Sequence, residues 1–135
     1  MEIKYIIVHC TATTEGRQFT KKDVDYWHKQ KGYRCIGYHY LVGIGGEVEQ
    51  GRQEHEIGSH CLNHNSHSLG VCYVGGLDKI TRQPKDTRTY LQKLALKKLL
   101  KQLKDKYPNA EIVGHNEFAN KACPCFNARE EYKDI

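Results

Sequence analysis

Glycine aside, no run of apolar residues in the chain exceeds four, as in Tyr5-Ile6-Ile7-Val8. A helix needs about 20 such residues to cross a bilayer, so no membrane insertion is expected. Met1-Glu2-Ile3-Lys4 does not open a basic stretch followed by a long apolar one, so no secretory leader is expected and synthesis should be cytoplasmic. Proline is scarce, with three residues, and the 12 glycines follow no three-residue period, which excludes a collagen-like chain. Internal repeats, linkers and low-complexity segments are missing as well. No Cys-x-x-Cys pair occurs, which argues against a structural zinc module built from paired thiols.

What the chain does have is 135 residues, 39% of them hydrophobic, enough for one domain over residues 1–135 and too few for two. Six Cys and eight His stand out. At about 4% of the chain the cysteines fall below the density of disulfide scaffolds. Without a leader they belong to a reducing compartment. Cys10, Cys35, Cys61 and Cys72 therefore read as small buried hydrophobes.

The formal net charge is +5, but it is not spread evenly. Residues 79–107 hold ten Lys/Arg against two Asp/Glu, and the rest of the chain is net acidic. That basic segment reads as a helix. Leu91, Leu94, Ala95, Leu99, Leu100, Leu103 and Tyr107 recur near a 3.6-residue period, with Leu96 slightly off the stripe. Thr89 and Gln92 form a capping box and Pro108 ends the helix. Lys93, Lys97, Lys101 and Lys104 fall on the outer face, read here as solvated, with no nucleic-acid partner expected.

The remaining pattern alternates strands with helices. Ile3 to Val8 is rich in β-branched and aromatic residues and delivers His9 at its end. Thr20 to Lys31 reads as an amphipathic helix closed by Gly32, with Val24, Trp27 and His28 on one face. Gly37 to Val42 and Glu47 to Gln50 form a hairpin across Gly45-Gly46, Gly70 to Val74 is a further strand, and Glu111 to Val113 delivers His115. A short helix fits near Asn127–Tyr132. This order predicts an α/β single domain, a central mixed β-sheet flanked by helices, with the functional site at strand ends. There, His9, His115 and Cys123 offer two imidazoles and one thiolate, three zinc ligands that leave the fourth tetrahedral position open for water.

Eight segments recur in order along the chain: Val8-His9-Cys10-Thr11-Ala12-Thr13, Gly37-Tyr38-His39-Tyr40, Gly51-Arg52, Gly58-Ser59-His60, Ser68-Leu69-Gly70-Val71-Cys72, Gly75-Gly76, Gly114-His115-Asn116-Glu117 and Lys121-Ala122-Cys123-Pro124. Together they resemble the type 2 N-acetylmuramoyl-L-alanine amidases, a family shared by bacteriophage endolysins and peptidoglycan recognition proteins. The resemblance spans about residues 3 to 126.

It implies a zinc hydrolase, with one Zn2+ per chain, that cuts the amide between N-acetylmuramic acid and L-alanine in peptidoglycan. By position the ligands are His9, His115 and Cys123, and the catalytic residues are Tyr38 and Lys121. The Lys121 ammonium would stabilise the oxyanion, while the Tyr38 hydroxyl would orient or deprotonate water or donate to the oxyanion. His60 is expected to contact substrate in a groove, and Arg52 and Thr13 to line the site; His39 is expected to be structural, and Glu117 reads equally as a partner of a ligand histidine or as a solvated loop residue. The resemblance further implies a monomer acting on the cell wall after holin-type release or dedicated secretion. It also raises an RNA polymerase of phage or host as an additional partner, and a non-catalytic peptidoglycan-binding protein as the alternative. A cysteine peptidase using Cys10 or Cys72 is disfavoured because both fall within strands rather than at an activating helix start. Two features stand apart from this pattern. Cys125 replaces the small residue expected after Cys123-Pro124 and could compete for zinc, and Gly43 to Gly46 lacks the Gly-Lys-Ser/Thr ending of a phosphate loop.

Overall fold

Ile6, Ile7 and Val8 are all fully buried, which requires a strand covered on both faces, and β1 (Tyr5–Cys10) is one. The computed structural model describes residues 2–135. Around β1 runs a five-stranded sheet in the order β4-β3-β5-β1-β7, with β3 (Tyr40–Val42), β4 (Val48–Gln50), β5 (Ser68–Tyr73) and β7 (Glu111–Gly114). β3, β5, β1 and β7 are parallel to their neighbours, and β4 is the antiparallel edge. The expected mixed sheet is thus present. A second sheet pairs β2 (Thr13–Thr14) with β6 (Gly76–Leu77), two residues each, too short to leave a periodic trace in the sequence.

Side chains alternate across β1. Ile6, Val8 and Cys10 face α2 (Tyr90–Lys106), where Leu96, Leu99, Leu100 and Leu103 complete the larger core with Tyr132 and Ala128 from the region of α3 (Ala128–Glu131). Each such leucine contributes about 1.5–3 kcal/mol on burial. Ile7 faces the other way, against Cys61 and Val113. On that second side α1 (Lys21–Gln30) brings Val24 against Ile36, Leu41 and Cys72. The Thr20 backbone N–H donates to Asp23 Oδ2 at 2.8 Å to start α1, and Gly32 ends it at φ +94°.

The buried face of α2 differs from the expected stripe. Leu96 is fully buried, whereas Leu91 and Leu94 are 51% and 50% exposed. The reason is Gln92, which is buried and donates from Nε2 to the carbonyls of Val42 (3.3 Å) and Val74 (2.9 Å). A polar residue that satisfies two carbonyls at the C-terminal ends of β3 and β5 turns the helix by about one residue relative to its apolar pattern. The second strand is also shorter than expected, starting at Tyr40 instead of Gly37. Among the described residues no helix is long and apolar enough to cross a membrane.

Candidate metal centre and groove

In a parallel sheet, residues at equal heights point the same way, and the register here pairs Val8 with Gly114. The next residues, His9 and His115, therefore emerge side by side at the C-terminal edge, with ring centroids 4.5 Å apart. His9 is still within β1, while His115 begins a short 3-10 turn, His115–Glu117. The loop after that turn brings in Cys123, whose Sγ accepts the Cys10 N–H at 3.2 Å and lies 3.9 Å from His9 Nδ1. One ligand atom from each of His9, His115 and Cys123 lies within 4.8 Å of the others.

This donor set suits zinc. Bonds of about 2.1 Å to nitrogen and 2.3 Å to sulfur put tetrahedral donors roughly 3.3–3.7 Å apart, so side-chain adjustments alone close the gap. Hydrogen bonding from Cys10 holds the Cys123 thiol below its ordinary value, against burial, which favours the thiolate a metal needs. Burial keeps His9 well below the usual imidazole range, and the neighbouring His60, His115 and Lys121 act in the same direction.

Around the triad lies a cavity of about 220 Å³, lined also by Thr11, His28, Tyr38, His60 and Lys121. It shares Tyr33, Ser59, His60, His115 and Lys121 with an adjoining cavity of about 540 Å³, walled further by Leu62, Asn63 and Phe118. The two form one groove. Lys121 is exposed at its edge. Tyr38 is partly buried, its ring 5.1 Å from that of His9, and burial raises its hydroxyl well above the ordinary phenol value.

The other expected contacts fare differently. His60 lines the groove, but both ring nitrogens are engaged: Nδ1 lies 2.9 Å from His9 Nε2 and Nε2 lies 3.2 Å from Ser68 Oγ. Arg52 does not reach the groove. It is 6% exposed and donates from Nε to the Ile36 carbonyl and from Nη1 to the Ile57 carbonyl, tying two loops together. Thr13 sits one step back in β2, its Oγ1 2.7 Å from Thr11 Oγ1, and Thr11 is the residue that lines the cavity. His39 is structural as expected: Nδ1 accepts the Gly70 N–H and Nε2 donates to the Glu56 carbonyl. Glu117 pairs with Arg129 rather than with a histidine.

All six cysteines are free. Cys10, Cys61 and Cys72 are buried as expected, and Cys35 is only half-buried. Hydrogen bonding to Cys123 pushes the Cys10 thiol up to about 12, and burial raises Cys72 well above the ordinary value, which leaves neither poised as a nucleophile. Cys125 turns away from the triad, with Sγ 3.9 Å from Cys10 Sγ and 3.4 Å from the Gly76 carbonyl. His28 is the site residue that the sequence reading placed only on a helix face. Its Nδ1 accepts the Gly37 N–H at 2.8 Å, and burial lowers it to about 4. Its position four residues after buried Val24, on the face that meets the Tyr38 segment, was the available signal.

Known proteins share this arrangement of elements. The endolysin of Klebsiella phage KP32 is 39% identical over 128 residues, covering 95% of this chain and 84% of that protein. The amidase LysC from Clostridium intestinale URNW superposes with a TM-score of 0.82 at 27% identity, covering 98% of this chain and 84% of the other. A structure of tracheal cytotoxin bound to the ectodomain complex of the peptidoglycan recognition proteins LCa and LCx superposes at 0.78 with 25% identity, covering 99% of this chain and 82% of that one. Residues 1–126 match the N-acetylmuramoyl-L-alanine amidase family, and the chain belongs to that family.

Proposed function

We propose that the protein is a zinc-dependent amidase that hydrolyses the bond between N-acetylmuramic acid and L-alanine in bacterial peptidoglycan. The observation that carries this reading is the convergence of His9, His115 and Cys123 on the floor of a groove that also holds Tyr38 and Lys121. A zinc ion held by the triad would supply Lewis acidity for the scissile carbonyl and for water. The residues of the chain divide the rest. Lys121 is exposed at the groove's edge, within reach of a bound amide, and its ammonium offsets negative charge developing on the carbonyl oxygen. Tyr38 presents a buried hydroxyl beside the same cavity. A phenol with an ordinary pKa of about 10 keeps its proton at neutral pH, so Tyr38 acts as a donor to that oxygen. The 540 Å³ arm of the groove takes the muramyl peptide, with Leu62 and Phe118 as apolar wall and Asn63 as polar contact. The binding of tracheal cytotoxin by proteins of this fold supports a muramyl-peptide ligand.

A phage endolysin reaching the wall through a holin-type pore, or an effector delivered by dedicated secretion, fits the kinship with the KP32 endolysin. Recognition without hydrolysis is the weaker reading, because all three ligand residues stand beside Tyr38 and Lys121.

Digestion of purified peptidoglycan, with and without a chelator, tests the proposal. The expected products are glycan bearing lactyl-muramic acid and peptides with a free L-alanine amino terminus, and Cys123→Ser should lose both zinc and more than about 100-fold of activity, since even outer partners of metal ligands matter by 10–100-fold. New reducing sugar ends, or hydrolysis indifferent to metal removal, would sink it.

A further inference from the structure

We infer that Ser68 and His60 form a directed hydrogen-bond relay that fixes the tautomer of His9 and leaves its Nδ1 bare toward Cys123. His60 is then a positioning residue of the metal centre, not a substrate contact. The inference rests on reading the triad as a zinc site.

The direction follows from which atoms can donate. Ser68 Oγ lies 2.6 Å from the His64 carbonyl oxygen, which can only accept, so the hydroxyl proton is committed there. Toward His60 Nε2, at 3.2 Å, the same oxygen can therefore only accept, and Nε2 must carry a hydrogen. A neutral imidazole has one N–H, so His60 Nδ1 presents a lone pair. Across 2.9 Å it accepts from His9 Nε2, which must then be the protonated nitrogen of His9. What remains bare on His9 is Nδ1, the atom 3.9 Å from Cys123 Sγ.

The chain is built to hold this geometry. Asn65 Oδ1 accepts the backbone N–H groups of both His60 (2.8 Å) and Cys61 (2.9 Å), pinning the loop that carries the ring. A Cβ on Gly70 would stand 2.7 Å from His60 Cγ, and one on Gly58 would stand 2.7 Å from His60 Cδ2, so both glycines make room for the imidazole. Ser68 and Gly70 are two apart in β5 and so share a face, the one beside Tyr5 and Ile7 in the β1 register. In Ser68-Leu69-Gly70 the serine thus supplies the acceptor, the glycine the space, and Leu69 the core contact on the reverse face.

Long-range 1H–15N correlation of the histidine rings in metal-free protein above pH 7 reads the relay directly. The expected result is the Nε2–H tautomer for both His9 and His60, with tautomeric mixing of His9 in Ser68→Ala. Zinc affinity, measured by competition with a chromophoric chelator, should fall about 10–100-fold in His60→Ala, the range seen when partners of ligand histidines are removed. It should fall less in Ser68→Ala, and recover in part in His60→Asn, whose Oδ1 can accept where Nδ1 did. An Nδ1–H tautomer of His9 in the wild type overturns the inference, as does wild-type zinc affinity in His60→Ala. If His60→Ala does not fold, the wild-type tautomer and Ser68→Ala decide. A wild type that binds no zinc would end the metal-site reading, while the tautomer measured without metal would still decide the relay.

Discussion

The two imidazoles of the triad differ more than their neighbouring strands suggest. His9 is 1% exposed, lies inside a covered strand, and has its far nitrogen held by His60. His115 is 9% exposed, starts a short turn, and borders both arms of the groove together with Lys121. Burial lowers both, and the ammonium of Lys121 acts in the same direction on each. The inner half of the site is therefore ordered by the sheet before any ligand arrives, whereas the outer half is open to whatever enters the groove. Metal retention should depend on the three ligands, with His9 as the ligand the sheet holds in place, and turnover on the groove-side groups Lys121 and Tyr38.

The largest effect expected without loss of zinc tests that division. Tyr38→Phe and Lys121→Ala should each retain full zinc content while slowing hydrolysis by about 100-fold, the scale for removing one group that stabilises an oxyanion. Zinc analysis beside steady-state rates on peptidoglycan measures both quantities. Wild-type rates in both variants would remove their roles, and zinc loss in either would blur the boundary between the halves.

A smaller effect concerns the wall behind Tyr38. His28 is held at about 4, first by burial and then by the charges of Lys31 and Arg52. Its unfolded value is near 6.5, so the unfolded chain takes up the proton first as pH falls. Stability from neutral His28 is complete above about pH 6.5 and is lost between there and pH 4, to a total of the order of 3 kcal/mol. In His28→Asn, whose Oδ1 can still accept the Gly37 N–H, urea unfolding across that window should show a slope lower by up to about 1.4 kcal/mol per pH unit. An unchanged slope would mean that His28 does not titrate differently on folding.

How far the sequence reveals the site follows a different division, between local pattern and contacts distant in the chain. His9 and His115 were readable because β-branched strands end beside them, and strand ends of a parallel sheet share one edge. The Thr89 capping box with Pro108, and the Thr20 to Lys31 stretch closed by Gly32, marked both long helices to within a residue. What could not be read depends on contacts distant in the chain. Arg52 was expected to line the site because the Gly51-Arg52 segment is part of the family resemblance, yet its guanidinium is spent on two loop carbonyls. Gln92 looked like a cap alone, and its second role at the Val42 and Val74 carbonyls shifted the buried face of α2. Ser68 opens one of the eight segments, but its role could not be read there, because its meaning lies in a ring eight residues earlier and in the strand beside it.

The smallest effect is expected farthest from the groove, on the basic helix. α2 packs against the face of the sheet that holds Ile6 and Val8, while His9 points from the opposite face with Ile7. Lys93, Lys97 and Lys101 are exposed on the outward side of that helix. A helix about 10 Å across and a helix-to-sheet layer of similar thickness then separate these ammonium groups from the triad. At 0.1 M salt the Debye length is about 10 Å, so their field at the site is largely screened. Replacing all three by Gln should change hydrolysis of a soluble muramyl peptide by less than about 2-fold at that ionic strength. On intact cell walls, which present a dense anionic polymer, the same variant can lose rate only through attachment, and that loss should disappear as salt is raised. A salt-independent loss on the soluble substrate would show that the basic face acts on the groove itself, and the separation of the two sides of the sheet would have to be abandoned.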